Sequence, residues 1–246
     1  MHFLSVLFIL IMNFTQLCSV ETQSKMSDEI FSFDDSILTM LSKESKTLVI
    51  VFAGQGLGLQ MPMFEFRKTF SNSTVNLMFI RDIQQVFYQF GIKPNGNISS
   101  TLKAIMNEIR KIKTNKIIVI GNSSGGYAAL LFGYLLLTKK FPVKKILAFA
   151  PRFGDQGFIE HIRPYRNVQP RYFSFKDVFN QKTYFKDGIF HIFYSQDCSI
   201  DVDYALSQLN YPWIEHHVYE QGGHALIREL RDNGTLSQIL YNAIEG

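Results

Sequence analysis

One short segment of the chain contains the residue types of a nucleophilic site. Residues Gly121 to Gly125 read G-N-S-S-G, with an apolar run before them and another after them. A G-x-S-x-G turn between a strand and a helix exposes its serine hydroxyl above the sheet edge, and the small residues on either side let the backbone pass. The pattern therefore predicts Ser123 as a nucleophile. The amide of Ser124, at the start of the helix, is predicted to stabilise an oxyanion.

Glycine-rich turns of this type also bind phosphate groups at the start of a helix. The segment around Ser123 has neither the G-x-G-x-x-G spacing nor the Gly-Lys-Ser/Thr ending of such phosphate sites. The nucleophile is therefore the favoured interpretation.

A serine hydroxyl needs a base to take its proton, and histidine is the usual one. Among the histidines that follow Ser123, His161 lies in an irregular segment, and His191, His216 and His217 lie within predicted strands, where sheet packing or surface exposure explains them. His224 instead follows a glycine-containing turn just after the last predicted strand. Catalytic groups collect at such strand exits, so His224 is the predicted base, with a helix-capping histidine as the alternative.

Three aspartates could supply the carboxylate that orients the histidine. Asp197 comes directly after a predicted strand, and Asp201 and Asp203 follow it. Asp203 is expected in the first turn of a helix, where the helix dipole alone explains a carboxylate. We expect Asp197 to be the orienting acid because a residue at a strand end is held rigidly, and Asp201 is the alternative.

Short apolar, β-branched runs alternate with segments of helical period along most of the chain. This alternation predicts an α/β fold, a three-layer α/β/α sandwich around a mostly parallel sheet of about six strands. The predicted strands are Thr47 to Phe52, Asn76 to Ile80, Lys116 to Ile120, Lys145 to Ala150, Ile189 to Tyr194 and Ile214 to Tyr219. The predicted helices are Pro62 to Phe70, Ser99 to Lys113, Ser124 to Thr138, Val202 to Leu209, Ala225 to Asp232 and Leu236 to Ile244.

The chain is expected to divide into a leader and one domain. An apolar run within residues 1–20 has the length of a signal peptide, residues 21–45 form a lead-in, and residues 46–246 form the domain. This organisation predicts a secreted protein or one of the secretory pathway; if Met26 is the true start, the protein is cytoplasmic. Residues 151–186 have no clear period and are expected to wall a pocket or to pack on the surface.

Composition excludes several classes of protein. The formal net charge is +4, but the lysines are scattered, so no nucleic-acid partner is expected. The leader is too short to span a bilayer, so no stable membrane span is expected. After removal of the leader, Cys198 would be the only cysteine and no internal disulfide could form. Asn-x-Ser/Thr sequons begin at Asn72, Asn97, Asn122 and Asn233. Those on the surface predict a glycoprotein, and Asn122 is the exception because it belongs to the packed turn around Ser123.

The chain order Ser123, Asp197, His224, each at a strand exit, resembles the α/β-hydrolase superfamily. The resemblance covers the chain from about residue 46 onward, and the family's leading antiparallel hairpin is expected to be absent. Local likenesses, such as Phe52-Ala53-Gly54, resemble a small group of mostly microbial hydrolases. The resemblance implies a second oxyanion donor after the first predicted strand, where Gln55 is our choice.

The residues and the resemblance together predict a serine hydrolase that cleaves a carboxylic ester or thioester through an acyl-enzyme intermediate. The substrate could be a lipid, glycan or small-molecule acyl compound, and no metal or organic cofactor is required. An acyltransferase that uses the same residues is one alternative. A catalytically silent binding protein with the same fold is the other. The sequence makes no prediction of the oligomeric state.

Overall fold

The computed structural model describes residues 29–33, 36–55, 66–71, 73–92, 96–152, 185 and 188–246. The predicted signal peptide, the alternative start at Met26 and the sequon at Asn72 lie outside these residues, as does most of the irregular segment 151–186. Only residues 66–70 of the first predicted helix are described, and they form turns rather than an α-helix.

A single sheet organises the described residues. Its eight strands lie in the order β1-β2-β4-β3-β5-β6-β7-β8, and the strands from β3 to β8 are parallel to one another. The strands are β1 (Glu29–Phe33), β2 (Ile37–Leu41), β3 (Thr47–Phe52), β4 (Asn76–Ile80), β5 (Lys116–Asn122), β6 (Val143–Phe149), β7 (Phe190–Ser195) and β8 (Ile214–Tyr219).

The first two strands correct one expectation from the sequence. Strands β1 and β2 form an antiparallel hairpin, and β2 pairs antiparallel with β4. The expectation that the leading hairpin is absent was therefore wrong, and the sheet begins at Glu29, inside the predicted lead-in. The segment I-L-T-M-L of β2 is apolar except for its threonine, so it shows no alternation of apolar and polar residues. Ile37, Leu38 and Thr39 are all buried. Its pairing with β4 is a tertiary contact that local pattern does not reveal.

Helices cover both faces of the sheet, which confirms the predicted three-layer sandwich. Apolar side chains of α1, α2 and α3 pack on one face, and those of α4 and α5 pack on the other. The described helices are α1 (Ile98–Lys111), α2 (Ser124–Thr138), α3 (Ser199–Gln208), α4 (Leu226–Asp232) and α5 (Thr235–Glu245), with a 3₁₀ turn at Gly223–Ala225. None of these described helices has the length and apolar character needed to cross a bilayer.

Two helices show why the sequence folds in this way. Asn97 caps helix α1: its side chain accepts a hydrogen bond of 2.8 Å from the Ser100 amide, and the Ser100 hydroxyl in turn accepts one from the Asn97 amide. This reciprocal cap satisfies backbone donors that the first turn leaves open. Helix α2 is apolar on nearly every side because it lies in the interior against β5 and β6.

The parallel strands bring their carboxyl ends to one edge of the sheet. Ser123 directly follows β5, Arg152 lies three residues after β6, and the segments after β7 and β8 contain Asp201 and His224. Residues far apart in sequence therefore meet at this edge.

Candidate active site

Ser123 occupies a strained turn between β5 and α2. Its backbone angles are φ 54° and ψ −120°, a conformation that residues with a side chain rarely adopt. Its amide donates to the Phe149 carbonyl at 2.8 Å, and its carbonyl accepts from the amides of Tyr127 and Arg152 at 3.1 and 3.0 Å. These bonds to β6, to α2 and to the segment after β6 hold the strained residue in place.

Glycines beside Ser123 are required by space. A Cβ at Gly121 would lie 1.9 Å from the carbonyl oxygen of Gly125, and a Cβ at Gly125 would lie 2.2 Å from the carbonyl oxygen of Phe52. Both neighbours are backbone atoms, which cannot move aside as a flexible side chain can. The G-x-S-x-G pattern thus follows from how closely β5, α2 and the end of β3 approach each other.

The structure brings two of the predicted site residues together. Ser123 Oγ and His224 Nε2 are 2.9 Å apart, although 101 positions separate them in the chain. The neighbouring Ser124 is fully buried at the start of α2, so its hydroxyl has no access to solvent, whereas Ser123 is partly exposed. The geometry therefore favours Ser123 over Ser124 as the reactive hydroxyl.

The carboxylate beside His224 belongs to Asp201, the alternative named from the sequence. Its Oδ2 and Oδ1 lie 2.9 and 3.1 Å from His224 Nδ1. The expectation that Asp197 occupies this position was wrong. Asp201 lies in the first turn of α3, and its carboxylate is almost completely buried. A helix start can hold a side chain as rigidly as a strand end. Asp197 was expected there because it lies nearer to β7 in sequence, but that distance does not determine which carboxylate points toward His224.

Asp197 makes a different contact at the same edge. Its Oδ1 accepts hydrogen bonds from the Ser195 hydroxyl at 2.5 Å and from the Gly223 amide at 2.8 Å. These two bonds lower the pKa of Asp197 below its ordinary value. Because Gly223 directly precedes His224, Asp197 ties the loop of the histidine to the end of β7.

Arg152 is a site residue that the sequence analysis missed. Its Nε lies 2.6 Å from Asp201 Oδ1, and its guanidinium also donates to Cys198 Sγ at 3.3 Å. Burial alone would raise the pKa of Asp201, but hydrogen bonds from His224 and Arg152 and the positive charge of Arg152 outweigh burial and hold that pKa below its ordinary value. The one available signal was the position of Arg152 at the exit of a predicted strand.

Two loops shape the region where an oxyanion donor is predicted. The side-chain amide of Gln55, just after β3, donates to the carbonyl of Gln85. The Tyr88 hydroxyl donates to the carbonyl of Ala53 at 2.7 Å. These contacts join the loop after β3 to the loop after β4. The roles of the Ser124 and Gln55 amides as oxyanion donors stay predictions.

A buried carboxylate organises the second of these loops. Asp82 accepts hydrogen bonds from the backbone amides of Gln84, Val86 and Tyr88, at 3.0, 2.7 and 2.8 Å. Burial raises the pKa of Asp82 to about 6, against the lowering effect of these bonds. Gln85 and Tyr88 within the loop have positive φ angles of 52° and 58°, which this network stabilises.

Comparison with known proteins places the chain in a family. A family model described as Lipase (class 3) matches residues 49–198, more than half of the chain. The match includes Ser123 and Arg152, while Asp201 and His224 follow it. No curated protein sequence matches the chain.

Solved structures share the fold at low sequence identity. The capsule O-acetyltransferase of Neisseria meningitidis serogroup A is 16% identical, with a TM-score of 0.54 over 85% of this chain and 94% of that protein. An α/β-hydrolase enzyme from a lagoon-sediment metagenome of Mar Chica, Morocco, is 14% identical, with a TM-score of 0.55 over 87% and 97%. S-formylglutathione hydrolase from Staphylococcus aureus is 12% identical, with a TM-score of 0.53 over 87% and 96%. These similarities confirm the α/β-hydrolase fold.

The Arg152 contact predicts how stability depends on pH. A carboxylate with a lowered pKa stabilises the folded state above its unfolded pKa of about 3.9, and this contribution is lost as the pH falls through the folded pKa. The substitution Arg152→Met removes one of the two groups that hold this pKa down. We expect it to lower the free energy of unfolding by up to about 3 kcal/mol near neutral pH and to move acid unfolding to higher pH.

Urea unfolding of wild type and Arg152→Met between neutral and acidic pH measures both effects. The matched control is Arg231→Met, which removes an arginine from the exposed pair with Asp232 and is expected to change little. Identical pH profiles for wild type and Arg152→Met would contradict the role assigned to Arg152.

Proposed function

Because the chain belongs to the class 3 lipase family, we propose that it is a serine hydrolase that cleaves a carboxylic ester or thioester through an acyl-enzyme intermediate. The proposed nucleophile is Ser123, the proposed base is His224, and the proposed orienting acid is Asp201. The family and the fold support a hydrolase that acts on small-molecule or lipid substrates. The assignment of the three residues rests on the geometry of the site.

One observation carries the proposal. Ser123 Oγ lies 2.9 Å from His224 Nε2, and His224 Nδ1 lies 2.9 Å from the buried carboxylate of Asp201. A carboxylate at Nδ1 favours the tautomer in which that nitrogen carries the proton, and this tautomer leaves the lone pair of Nε2 directed at the serine hydroxyl. Hydroxyl, base and orienting acid thus have the order that proton transfer from a serine requires.

The first half of the proposed reaction forms the acyl-enzyme. Ser123 Oγ attacks the acyl carbonyl carbon while its proton passes to His224 Nε2. The carbonyl oxygen becomes an oxyanion, which the amide at the start of α2 and the amide of Gln55 are proposed to stabilise. Collapse of the tetrahedral intermediate breaks the bond to the leaving group, and His224 gives its proton to the departing alcohol or thiol. Asp201 stays ionised and stabilises the imidazolium.

The second half releases the acid and restores the enzyme. Water gives a proton to His224 as its oxygen attacks the acyl carbon, and the proton then returns to Ser123 Oγ when the ester bond breaks. In this scheme Arg152 contacts neither the substrate nor the serine side chain. It is a positioning residue, because its bond to Asp201 keeps the carboxylate ionised and fixed.

The acyl-enzyme would also allow transfer to an acceptor other than water. In that second candidate, an alcohol or sugar hydroxyl attacks the acyl carbon in the second half-reaction. A neighbour in fold is named a capsule O-acetyltransferase, so the fold is used for acetyl transfer elsewhere. The residues described here would be the same for both reactions, and the products distinguish them.

A fluorophosphonate probe tests the proposed nucleophile directly. We expect the probe to label wild type and not Ser123→Ala, because only an activated serine reacts with it. The matched control is Ser124→Ala, which changes the adjacent buried serine but keeps the backbone amide, and we expect it to be labelled. Equal labelling of Ser123→Ala would exclude Ser123 as the nucleophile. No labelling of wild type, while a known serine hydrolase reacts, would favour the catalytically silent binding protein.

Two aspartate variants test the choice of acid. We expect Asp201→Asn to lower kcat for an activated aryl ester by about 10⁴-fold, because an amide supports the wrong histidine tautomer. We expect Asp197→Asn to cost less than about tenfold, since an amide oxygen can still accept the bond from Gly223. Circular dichroism would verify that both variants are folded. A larger loss in Asp197→Asn than in Asp201→Asn would contradict the assignment.

Product analysis tests hydrolysis against transfer. With an aryl acetate as donor and added glycerol or N-acetylhexosamine as acceptors, we expect free acetic acid as the main product and little change in turnover as the acceptor concentration rises. Mass spectrometry of the products measures the partition. Acetylated acceptor as the main product, in amounts that require Ser123, would identify an acyltransferase instead.

A further inference from the structure

A second cluster of reactive side chains lies at the other end of the last two strands. His191 is the second residue of β7, and Glu215 and His217 are the second and fourth residues of β8. His191 pairs directly with Glu215 in the parallel register. Because side chains alternate along a strand, Glu215 and His217 lie on one face, and His191 lies on the same face beside them.

The potential ligand atoms of this cluster converge on one point. His191 Nδ1 is 3.0 Å from His217 Nε2 and 3.3 Å from Glu215 Oε2, and His217 Nε2 is 3.4 Å from Glu215 Oε1. The two contacts to the carboxylate are longer than charge-assisted hydrogen bonds, which measure about 2.7–2.9 Å. Tetrahedral zinc with bonds of about 2.0–2.1 Å separates its ligand atoms by about 3.3–3.4 Å. The two contacts to the carboxylate therefore match the ligand spacing of zinc. His191 Nδ1 and His217 Nε2 lie within hydrogen-bond distance of each other and would move slightly apart around a metal ion.

One of the two tautomers of His191 is suited to ligation. Its Nε2 lies 3.0 Å from the carbonyl oxygen of Gly188 and 3.1 Å from Lys145 Nζ. A metal ion at Nδ1 selects the tautomer in which Nε2 donates its hydrogen to Gly188, rather than the one in which Nε2 accepts from Lys145. Metal-bound histidines commonly have such a hydrogen bond on their second nitrogen. The ring of His217 is fixed by stacking on Phe193, with centroids 4.4 Å apart and an angle of 9° between planes.

Two charged side chains near the cluster have opposite effects on the binding of a cation. Lys145 Nζ lies 3.1 Å from His191 Nε2, on the side of the ring away from the ligand nitrogen, and its positive charge works against a metal cation. The carboxylate of Glu215 supplies a negative charge directly at the site. Burial lowers the pKa of both His191 and His217 below the ordinary value of a histidine.

We propose that His191, Glu215 and His217 bind a Zn²⁺ ion at the amino-terminal ends of β7 and β8. Two imidazoles and one carboxylate form a ligand set that suits zinc. The side chain of His191 is 9% exposed, while those of Glu215 and His217 are 54% and 31% exposed. The site is therefore anchored in the sheet and open to solvent, which leaves a fourth position for water. The ion would join the edge strand β8 to β7.

The cluster is separate from the site that contains Ser123. The three ligands lie within strands, whereas Asp201 and His224 follow the carboxyl ends of β7 and β8. No step of the proposed hydrolysis uses the cluster, so the zinc proposal can fail while the proposed function holds, and the reverse. We expect the ion to raise the melting temperature through the strand connection and to leave the serine reaction intact.

Zinc titration of the untagged full chain tests the proposal by isothermal calorimetry. Wild type is expected to bind one Zn²⁺ per chain, and His217→Ala and Glu215→Gln are expected to lose at least about tenfold in affinity. Glu215→Gln changes an exposed side chain and keeps its shape, so it tests the site even if His217→Ala folds poorly. The melting temperature should rise with Zn²⁺ in wild type and not in either variant.

Two further variants control for histidines elsewhere. His216→Ala removes the neighbouring histidine, whose ring contacts Tyr194 and Leu209 on the opposite face of the sheet. His224→Ala removes the histidine beside Ser123, which could bind zinc adventitiously together with Asp201. Both are expected to bind one Zn²⁺ as wild type does. Absence of binding by wild type, unchanged affinity in Glu215→Gln and His217→Ala, or loss of binding in His224→Ala would overturn the proposal.

Discussion

The site depends on one close approach, between the end of β5, the start of α2 and the end of β3. At this approach Gly121 and Gly125 leave no room for a Cβ, and Ser123 adopts φ 54°. A residue with a side chain in such a conformation costs of order 1–3 kcal/mol, so the surrounding structure must hold it. The Ser123 amide donates to the Phe149 carbonyl, and the amides of Tyr127 and Arg152 donate to the Ser123 carbonyl, which holds it in place. In this conformation Ser123 Oγ lies within hydrogen-bond distance of His224 Nε2.

Two aspartates at the same edge have different tasks because their environments differ. Asp201 is buried between His224 and Arg152, and two basic partners compensate for the cost of taking its charge out of water. Asp197 is exposed and accepts hydrogen bonds from Ser195 and from the loop before His224. One carboxylate therefore contacts the imidazole, while the other fixes the loop that presents it. The difference lies in direction and burial rather than in residue type.

Strands β7 and β8 connect two polar regions of different character. Beyond their carboxyl ends lie Asp201 and His224, and near their amino-terminal ends lie His191, Glu215 and His217. The proposed zinc ion would act on the outer strand of the sheet, where β8 has a neighbour on only one side among the described strands. A cross-strand metal ligand set gives such an edge an attachment that backbone pairing alone does not provide.

Much of the fold could be predicted because it follows from the local pattern of apolar and glycine residues in the sequence. The six strands from β3 to β8 and the turn at Ser123 follow from apolar runs and glycine positions, which reflect burial and clearance at each residue. His224 was also predictable, since it follows a glycine turn at a strand exit. The β1-β2 hairpin was not, because its short strands lack alternation and are stabilised by pairing with β4.

The sequence by itself determined that a serine, a histidine and an aspartate would lie at one edge of a parallel sheet, because strand order in the chain and the exits of the strands fix that edge. Only the tertiary structure decided that Asp201 rather than Asp197 contacts His224, and that Arg152 contacts Asp201. It alone also brought His191 to Glu215 and His217. The physical reason is that side-chain direction and partners depend on packing between distant segments, which the spacing of residues along one chain does not specify.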